Sequence, residues 1–188
     1  MPEETILSFG VDHPRHFAQL GRSRHMAVLT ESDYPSATGE PTPRLYLLAW
    51  DGRTFRTTTV LPLGFAHLRQ HTTGDEIAWD GATQALYVTL RTYDRPFEPW
   101  VSNSQPGTPS TGGLFLKVRW SRGRLTVRAM IPVDPNPRYF CMHRGVAYIC
   151  CQGNDSHRGS VMRVDIRRMR VLDDVADVQG QPNFYLAD

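Results

Sequence analysis

The sequence lacks the features of a membrane, secreted or nucleic-acid-binding protein. Its uncharged apolar runs, such as residues 45–50, are far too short to span a bilayer. The first residues, Met1-Pro2-Glu3-Glu4, are acidic, and no basic segment followed by a long apolar one marks a secretory signal. The formal net charge is only +2, which argues against a nucleic-acid footprint. We therefore expect a cytoplasmic protein with no membrane partner and no nucleic-acid partner.

Cysteine and lysine are both scarce. Three cysteines are an odd number and too few for a disulfide framework, which favours reduced thiols in the cytosol. Lys117 is the only lysine among the 21 basic residues, so the rest are arginines. Codon bias is a sufficient explanation of that excess. Because arginine binds carboxylates and phosphates bidentately, the composition also permits an anionic ligand.

Helical periodicity is almost absent, and a pattern of strands and turns takes its place. Short runs of Val, Leu, Ile, Tyr and Phe alternate with Gly, Pro, Asp and Asn. Three stretches share one order: strand, tight turn, strand, long loop, strand, tight turn, strand. Phe17 precedes Val28 by 11 residues, and Ile77 precedes Val88 by the same interval. The first turn of the third stretch is shorter. In the second stretch we predict a loop over residues 67–76, followed by a first strand at residues 76–79.

A four-stranded repeat of roughly 55 residues is typical of a β-propeller blade. We predict an all-β chain that forms a single partial β-propeller domain with about three four-stranded antiparallel blades. The blades lie at about residues 14–64, 65–133 and 134–178, with partial strands at residues 5–11 and 184–186. A β-sandwich with extra hairpins is the alternative, but it does not explain a threefold repeat. Since propellers close with about 4–8 blades, we also predict a homo-oligomer, in which two copies supply six.

Three segments of the chain resemble one known family. They read PRHFAQLGRSRHMAVLTESD at residues 14–33, DEIAWDGATQALYVTLR at residues 75–91 and NPRYFCMHRGVAYICCQ at residues 136–152. Their order and spacing are similar to blades of the lactonase-type seven-bladed β-propellers. These include the bacterial-type 6-phosphogluconolactonases and the fungal carboxy-cis,cis-muconate lactonising enzymes. The resemblance covers nearly the whole chain but only the C-terminal half of a family member.

The resemblance singles out Arg15, Glu31 and Arg91, which we predict to be catalytic. In a propeller these strand ends rise to one face, around the central funnel. Two arginines would hold an anionic substrate and its developing oxyanion, while the glutamate serves as general acid or base. The alternative is a salt-bridge set that ties neighbouring blades together. We expect Glu31 to lie in a solvent-open mouth, where its replacement by Gln costs about 0–1 kcal/mol.

His16, Arg95 and His157 are predicted to bind substrate, because they belong to loops and strand starts of the same face. For His16, a buried structural histidine is the alternative. His13-x-x-His16 could form half of a metal site, but a closed site needs further ligands, so we predict no metal. The sequence has no glycine-rich phosphate loop, Ser-His-Asp order or Cys-x-x-Cys pair, so we predict no cofactor.

Two functions from different classes are compatible with these patterns. The first is a lactonase-like hydrolase or cycloisomerase that acts on a small anionic lactone. The second is a catalytically degenerate half-propeller that serves as a binding or scaffold module. A chain that stays monomeric with open end blades would weaken the first function, because its funnel would not be closed.

Overall fold

The computed structural model describes residues 9, 13–31, 42–65, 70–94 and 110–176. Within these ranges the chain forms strands and turns, and no helix long and apolar enough to cross a membrane occurs there. The predicted terminal strands at residues 5–11, apart from Phe9, and at residues 184–186 lie outside the described residues. Twelve strands follow in chain order: β1 (Pro14–Gln19), β2 (His25–Thr30), β3 (Arg44–Trp50), β4 (Phe55–Pro62), β5 (His71–Asp80), β6 (Ala85–Tyr93), β7 (Gly112–Ser121), β8 (Arg124–Val133), β9 (Pro137–His143), β10 (Val146–Cys151), β11 (Ser160–Asp165) and β12 (Arg170–Ala176).

The strands form three separate four-stranded sheets, in each of which every strand pairs antiparallel with its neighbour in the chain. The first sheet has the order β1-β2-β3-β4, the second β5-β6-β7-β8, and the third β9-β10-β11-β12. This arrangement confirms the predicted partial β-propeller of three antiparallel blades. Tight turns join β3 to β4, β7 to β8 and β9 to β10, and Gly52, Gly123 and Gly145 supply the positive φ angles that such turns need.

The largest difference from the predicted strand boundaries is at the start of β5. Strand β5 begins at His71 rather than at Glu76, so most of the predicted loop before it is sheet. Gly74 pairs with Leu90 of β6, and Ile77 pairs with Val88. Two residues of β5, Asp75 and Glu76, therefore lie opposite the single residue Thr89 of β6 and form a bulge. A bulge of this kind interrupts the alternation of apolar and polar residues, and the pattern therefore hides the first half of the strand.

The three sheets stack face to face, with the second between the other two. Their first strands lie side by side, since β1 contacts β5 and β5 contacts β9. One apolar core, which includes Leu29, Leu47 and Leu86, fills the space between the first and second sheets. Another, which includes Phe115 and Ile149, fills the space between the second and third. Burying a side chain of this size contributes roughly 1.5–3 kcal/mol, so the sheet stack is held mainly by these two cores.

Strand pairing defines which positions of the three sheets are equivalent. Phe17 pairs with Val28 in the first sheet, and Ile77 pairs with Val88 in the second. In the third sheet Phe140 pairs with Ile149. Residues at the same distance from these pairs therefore hold the same place in successive blades.

Candidate functional site

The candidate site begins at a bulge that recurs in the first strand of every sheet. In β1 the register shifts between Pro14 and His16, which leaves Arg15 as the extra residue. In β5 the shift includes Asp75, and in β9 the extra residue is Arg138. A bulge bends its strand and redirects a side chain. Because the three first strands are neighbours, these redirected side chains meet.

Five charged side chains form one cluster at this point, which we call the arginine cluster. Arg15 donates from Nη1 to Oε2 of Glu31 at 3.2 Å, and Arg91 donates from Nη2 to the other carboxylate oxygen of Glu31. Asp75 lies within ion-pairing distance of three guanidinium groups: its carboxylate oxygens are 3.3 Å from Nη2 of Arg15, 3.1 Å from Nε of Arg91 and 3.7 Å from Nη1 of Arg138. The cluster thus joins all three sheets.

Backbone geometry fixes the two second-strand members of the cluster. Glu31 follows the end of β2, where its amide donates to the carbonyl oxygen of His13 at 2.7 Å. Arg91 lies within β6, three residues beyond Val88, just as Glu31 lies three residues beyond Val28. The threefold repeat therefore places a carboxylate of the first sheet beside a guanidinium of the second.

Exposure falls steeply from the rim of the cluster to its centre. The side chains of Arg15 and Arg138 are 27 % and 25 % exposed, that of Glu31 is 12 % exposed, and that of Asp75 is 1 % exposed. The expectation of a solvent-open Glu31 is therefore wrong, because two guanidinium groups cover it. Replacing it by Gln would leave Arg15 and Arg91 short of a charged acceptor, at a cost of roughly 1–3 kcal/mol.

Burial and charge act in opposite directions on the pKa values at the centre. Burial raises the pKa of Asp75, and the guanidinium groups of Arg91, Arg138 and Arg15 oppose that rise. Burial also disfavours the charged form of Arg91, but Asp75, Tyr93 and Glu31 more than compensate, so its pKa lies above the ordinary value. With both carboxylates ionised, three cations face two anions, and the cluster carries one excess positive charge.

His16 takes part in a separate ion pair beside the cluster. Its Nδ1 lies 3.1 Å from Oε1 of Glu76, which holds the equivalent position in the second sheet. The hydrogen bond to Glu76 raises the pKa of His16, while partial burial acts in the opposite direction. His16 therefore connects the first two sheets.

The other residues predicted to bind substrate are placed differently. His157 is exposed in the turn after Asn154, and its ring and amide bond to the Asn154 side chain. Among the described residues, no hydrogen bond or ion pair joins His157 to the arginine cluster. Arg95 lies outside the described residues. No group of three or more His, Cys, Asp or Glu side chains in the described part of the chain could hold a metal ion.

Sequence reasoning missed Asp75 and Arg138 as members of the site. The repeat contained the signal, because Arg15, Asp75 and Arg138 each stand two residues before the equivalent residues Phe17, Ile77 and Phe140. The prediction considered Arg15 alone of the three. Comparing the charge at one repeat position across the blades would have identified an alternating Arg, Asp, Arg set.

Comparison with known proteins supports the fold. No protein-family model and no curated protein matches the sequence. The chain is similar in structure to a periplasmic gluconolactonase from Pseudomonas aeruginosa, with a TM-score of 0.63 and 16% identity over 93% of this chain and 42% of that one. It is also similar to a putative 6-phosphogluconolactonase from Bacteroides uniformis, with a TM-score of 0.59 and 14% identity over 93% of this chain and 43% of that one.

A protein from Lactobacillus plantarum gives a comparable match, with a TM-score of 0.60 and 16% identity over 89% of this chain and 43% of that one. The chain thus spans about two fifths of the length of the structures it matches. At these identities the likeness establishes the architecture alone, that of part of a β-propeller.

Proposed function

We propose that the chain is a lactonase-like hydrolase or cycloisomerase that acts on a small anionic lactone at the arginine cluster. The observation that carries this proposal is the excess positive charge of the cluster, with a carboxylate between two guanidinium groups. An anionic lactone is attracted by that charge, and the partly exposed Arg15 and Arg138 offer donors to its acidic group. The names of two structural neighbours, a gluconolactonase and a putative 6-phosphogluconolactonase, support the same reaction class.

In lactone hydrolysis, Glu31 would accept a proton from water as the water oxygen attacks the carbonyl carbon. The carbonyl oxygen then becomes negatively charged, and Arg15 stabilises it by donating from its exposed side. The ring carbon–oxygen bond breaks, and the leaving oxygen takes the proton back from Glu31. Arg91 and Asp75 are too deeply buried for this contact, and they would position Glu31 and Arg15.

A cycloisomerase reaction would use the same groups for a different proton transfer. The arginines would hold the carboxylates of an unsaturated diacid, one of which adds to the double bond to close a lactone ring. The neighbouring carbon then needs a proton, which the acid form of Glu31 would donate. The two reactions differ in substrate but require the same charge arrangement.

A binding or scaffold function is the second candidate, and one observation favours it. Both carboxylate oxygens of Glu31 and both of Asp75 already lie against guanidinium groups. A cluster whose carboxylates are already paired in this way can hold the three sheets together without any turnover.

The test is turnover of a panel of sugar lactones, with and without a phosphate or carboxylate group, measured by the proton that hydrolysis releases. The same panel includes unsaturated diacids, whose cyclisation is measured by the loss of the double bond. We expect turnover of anionic members, its loss in Glu31→Gln, and full activity in the control Asp165→Asn. Asp165 suits this purpose because it pairs with Arg168 at the β11–β12 turn, away from the cluster. Folding of each variant is checked by thermal melting.

The outcomes separate the two candidates. Turnover that Glu31→Gln abolishes while the variant remains folded supports the enzyme. No turnover of any lactone or unsaturated diacid, together with a marked loss of stability in Glu31→Gln, supports the scaffold. Undiminished turnover in Glu31→Gln overturns the assignment of the reaction to this site.

A further inference from the structure

One face of the first sheet is apolar and partly open to solvent. It carries the side chains of Phe17, Met26, Val28, Tyr46, Leu48 and Trp50, and we call it the open face. Val28 and Leu48 are buried, and Phe9 of the same chain packs edge-on against the ring of Tyr46, so the open part of the face lies around Phe17 and Trp50. Phe17 is 70 % exposed and Trp50 is 37 % exposed, which is unusual for aromatic residues within a sheet. Large exposed apolar patches on soluble proteins commonly mark interaction sites.

The repeat shows what this face is built to contact. Ile77 and Phe140 are the equivalents of Phe17, and each is buried against the preceding sheet, at 4 % and 9 % exposure. Val88 and Ile149, the equivalents of Val28, are buried in the same two cores. The open face therefore has the composition of a surface that packs against a preceding sheet.

Two shallow depressions on the open face show where such a sheet would be seated. One, of about 420 Å³, is lined in part by Phe17, Met26, Trp50 and Phe55. The other, of about 400 Å³, extends from Met26 and Leu48 to Arg15 and His16. A partner bound in the second depression would therefore border the arginine cluster.

The far face of the third sheet offers a matching surface. The face of the second sheet that meets the third presents Tyr87 and Lys117, which pair across β6 and β7. Tyr87 donates its hydroxyl to the carbonyl oxygen of Ile166 at 3.0 Å, and Lys117 donates to the same oxygen at 3.2 Å. A tyrosine and a cation on one sheet thus hold one backbone carbonyl of the next.

The same two residue types recur one blade later. Tyr148 pairs with Arg163 across β10 and β11, at the positions of Tyr87 and Lys117. Ala147 and Ile149 point into the core against the second sheet, so Tyr148 between them points to the far face. By strand pairing, the first-sheet equivalent of Ile166 is Trp50, on the open face.

We propose that two copies of this chain associate head to tail, with the far face of the third sheet of each copy packed on the open face of the first sheet of the other. Tyr148 and Arg163 of one copy then meet the backbone at Trp50 of its partner, as Tyr87 and Lys117 meet Ile166 within the chain. The arrangement has two identical contacts related by a twofold axis. It closes a ring of six sheets, within the usual range of about 4–8 blades.

The test is the mass of the protein in solution by light scattering over a wide concentration range. We expect twice the chain mass of 21.3 kDa for the unaltered protein. Phe17→Arg places a charge in the contact and should give the single-chain mass, and so should Phe17→Gln at low concentration. Thr126→Arg adds the same charge to an exposed position of β8, outside both faces, and should leave the mass doubled.

Mixing two variants tests the head-to-tail geometry. Tyr148→Arg alone should also give single chains, because it alters the far face of the third sheet, which takes part in both contacts. An equal mixture of Phe17→Arg and Tyr148→Arg contains one pair of unaltered faces, so part of the double mass should return.

Three results would overturn the proposal. They are a single-chain mass at every concentration, a dimer insensitive to both Phe17 variants, and a dimer that Phe17→Arg breaks but Tyr148→Arg does not. The last would mean that the open face pairs with itself or with another surface. Circular dichroism confirms that each variant keeps its strands before its mass is interpreted.

Discussion

Arg15 and Asp75 occupy equivalent positions in the first strands of adjacent sheets, and Nη2 of Arg15 lies 3.3 Å from Oδ1 of Asp75. The repeat thus places opposite charges at the same place in successive blades. Arg138 continues the alternation in the third sheet. Because Asp75 is the central member and is buried, we expect its replacement to destabilise the cluster more than replacement of the partly exposed Arg15 or Arg138.

Replacing Asp75 by Asn should be strongly destabilising. The change leaves three guanidinium groups around a neutral, buried side chain, and breaking a buried ion pair in this way costs about 3–5 kcal/mol. Urea denaturation measures the loss. Asp165→Asn, at a turn away from the cluster, should be much less destabilising, because the asparagine oxygen can still accept from the amides of Arg167 and Arg168. Equal stability of the two variants would show that Asp75 is not an ionic centre.

The His16–Glu76 pair should make stability depend on pH. The pKa of His16 is raised in the folded state, so the pair contributes fully below the unfolded value of about 6.5 and is lost as the pH rises through the folded value. Replacing His16 by Gln should therefore lower the unfolding free energy by at most about 1 kcal/mol at low pH. This loss should become smaller as the pH rises through the folded pKa of His16. A loss that grows with pH would contradict this account.

Gly74 should be intolerant of any side chain. An added Cβ would collide with the carbonyl oxygen of Thr30 and would lie 2.8 Å from Cγ of Leu29. Gly74→Ala should therefore cost about 1–3 kcal/mol through overpacking between the first two sheets. Gly81→Ala is the matched control, since its nearest neighbour beyond the adjoining residues is Nε1 of Trp79 at 4.0 Å. Similar melting temperatures for both variants would show that the close approach is not needed.

The three cysteines should differ in reactivity with a thiol reagent. All three are free thiols, Cys150 and Cys151 are buried, and Cys141 is half-buried. Burial raises the pKa of Cys150 to about 12 and raises that of Cys151 as well, so neither forms appreciable thiolate near neutral pH. We expect Cys141 to be labelled first in the native protein and all three in urea, as counted by mass spectrometry. Early labelling of Cys151 would contradict the buried position.

The sequence alone determined most of the strands, the turns and the threefold repeat. Alternation of side chains along a strand and positive φ at glycine turns are local properties, so β6 and the hairpin at Gly123 could be located without coordinates. The repeat also allowed the meeting of Arg15, Glu31 and Arg91 to be predicted, since equivalent strand ends lie at one face of a stacked array.

Only the tertiary structure decided what surrounds those residues. Asp75 is an ordinary aspartate in the sequence, and its burial among three arginines depends on bulges and on the packing of β1, β5 and β9. Phe17 has the same pattern as the buried Phe140, yet it is exposed, because burial depends on whether another sheet lies against that face. Ion pairing and burial depend on contacts between residues that are distant in the chain, and local sequence patterns do not reveal those contacts.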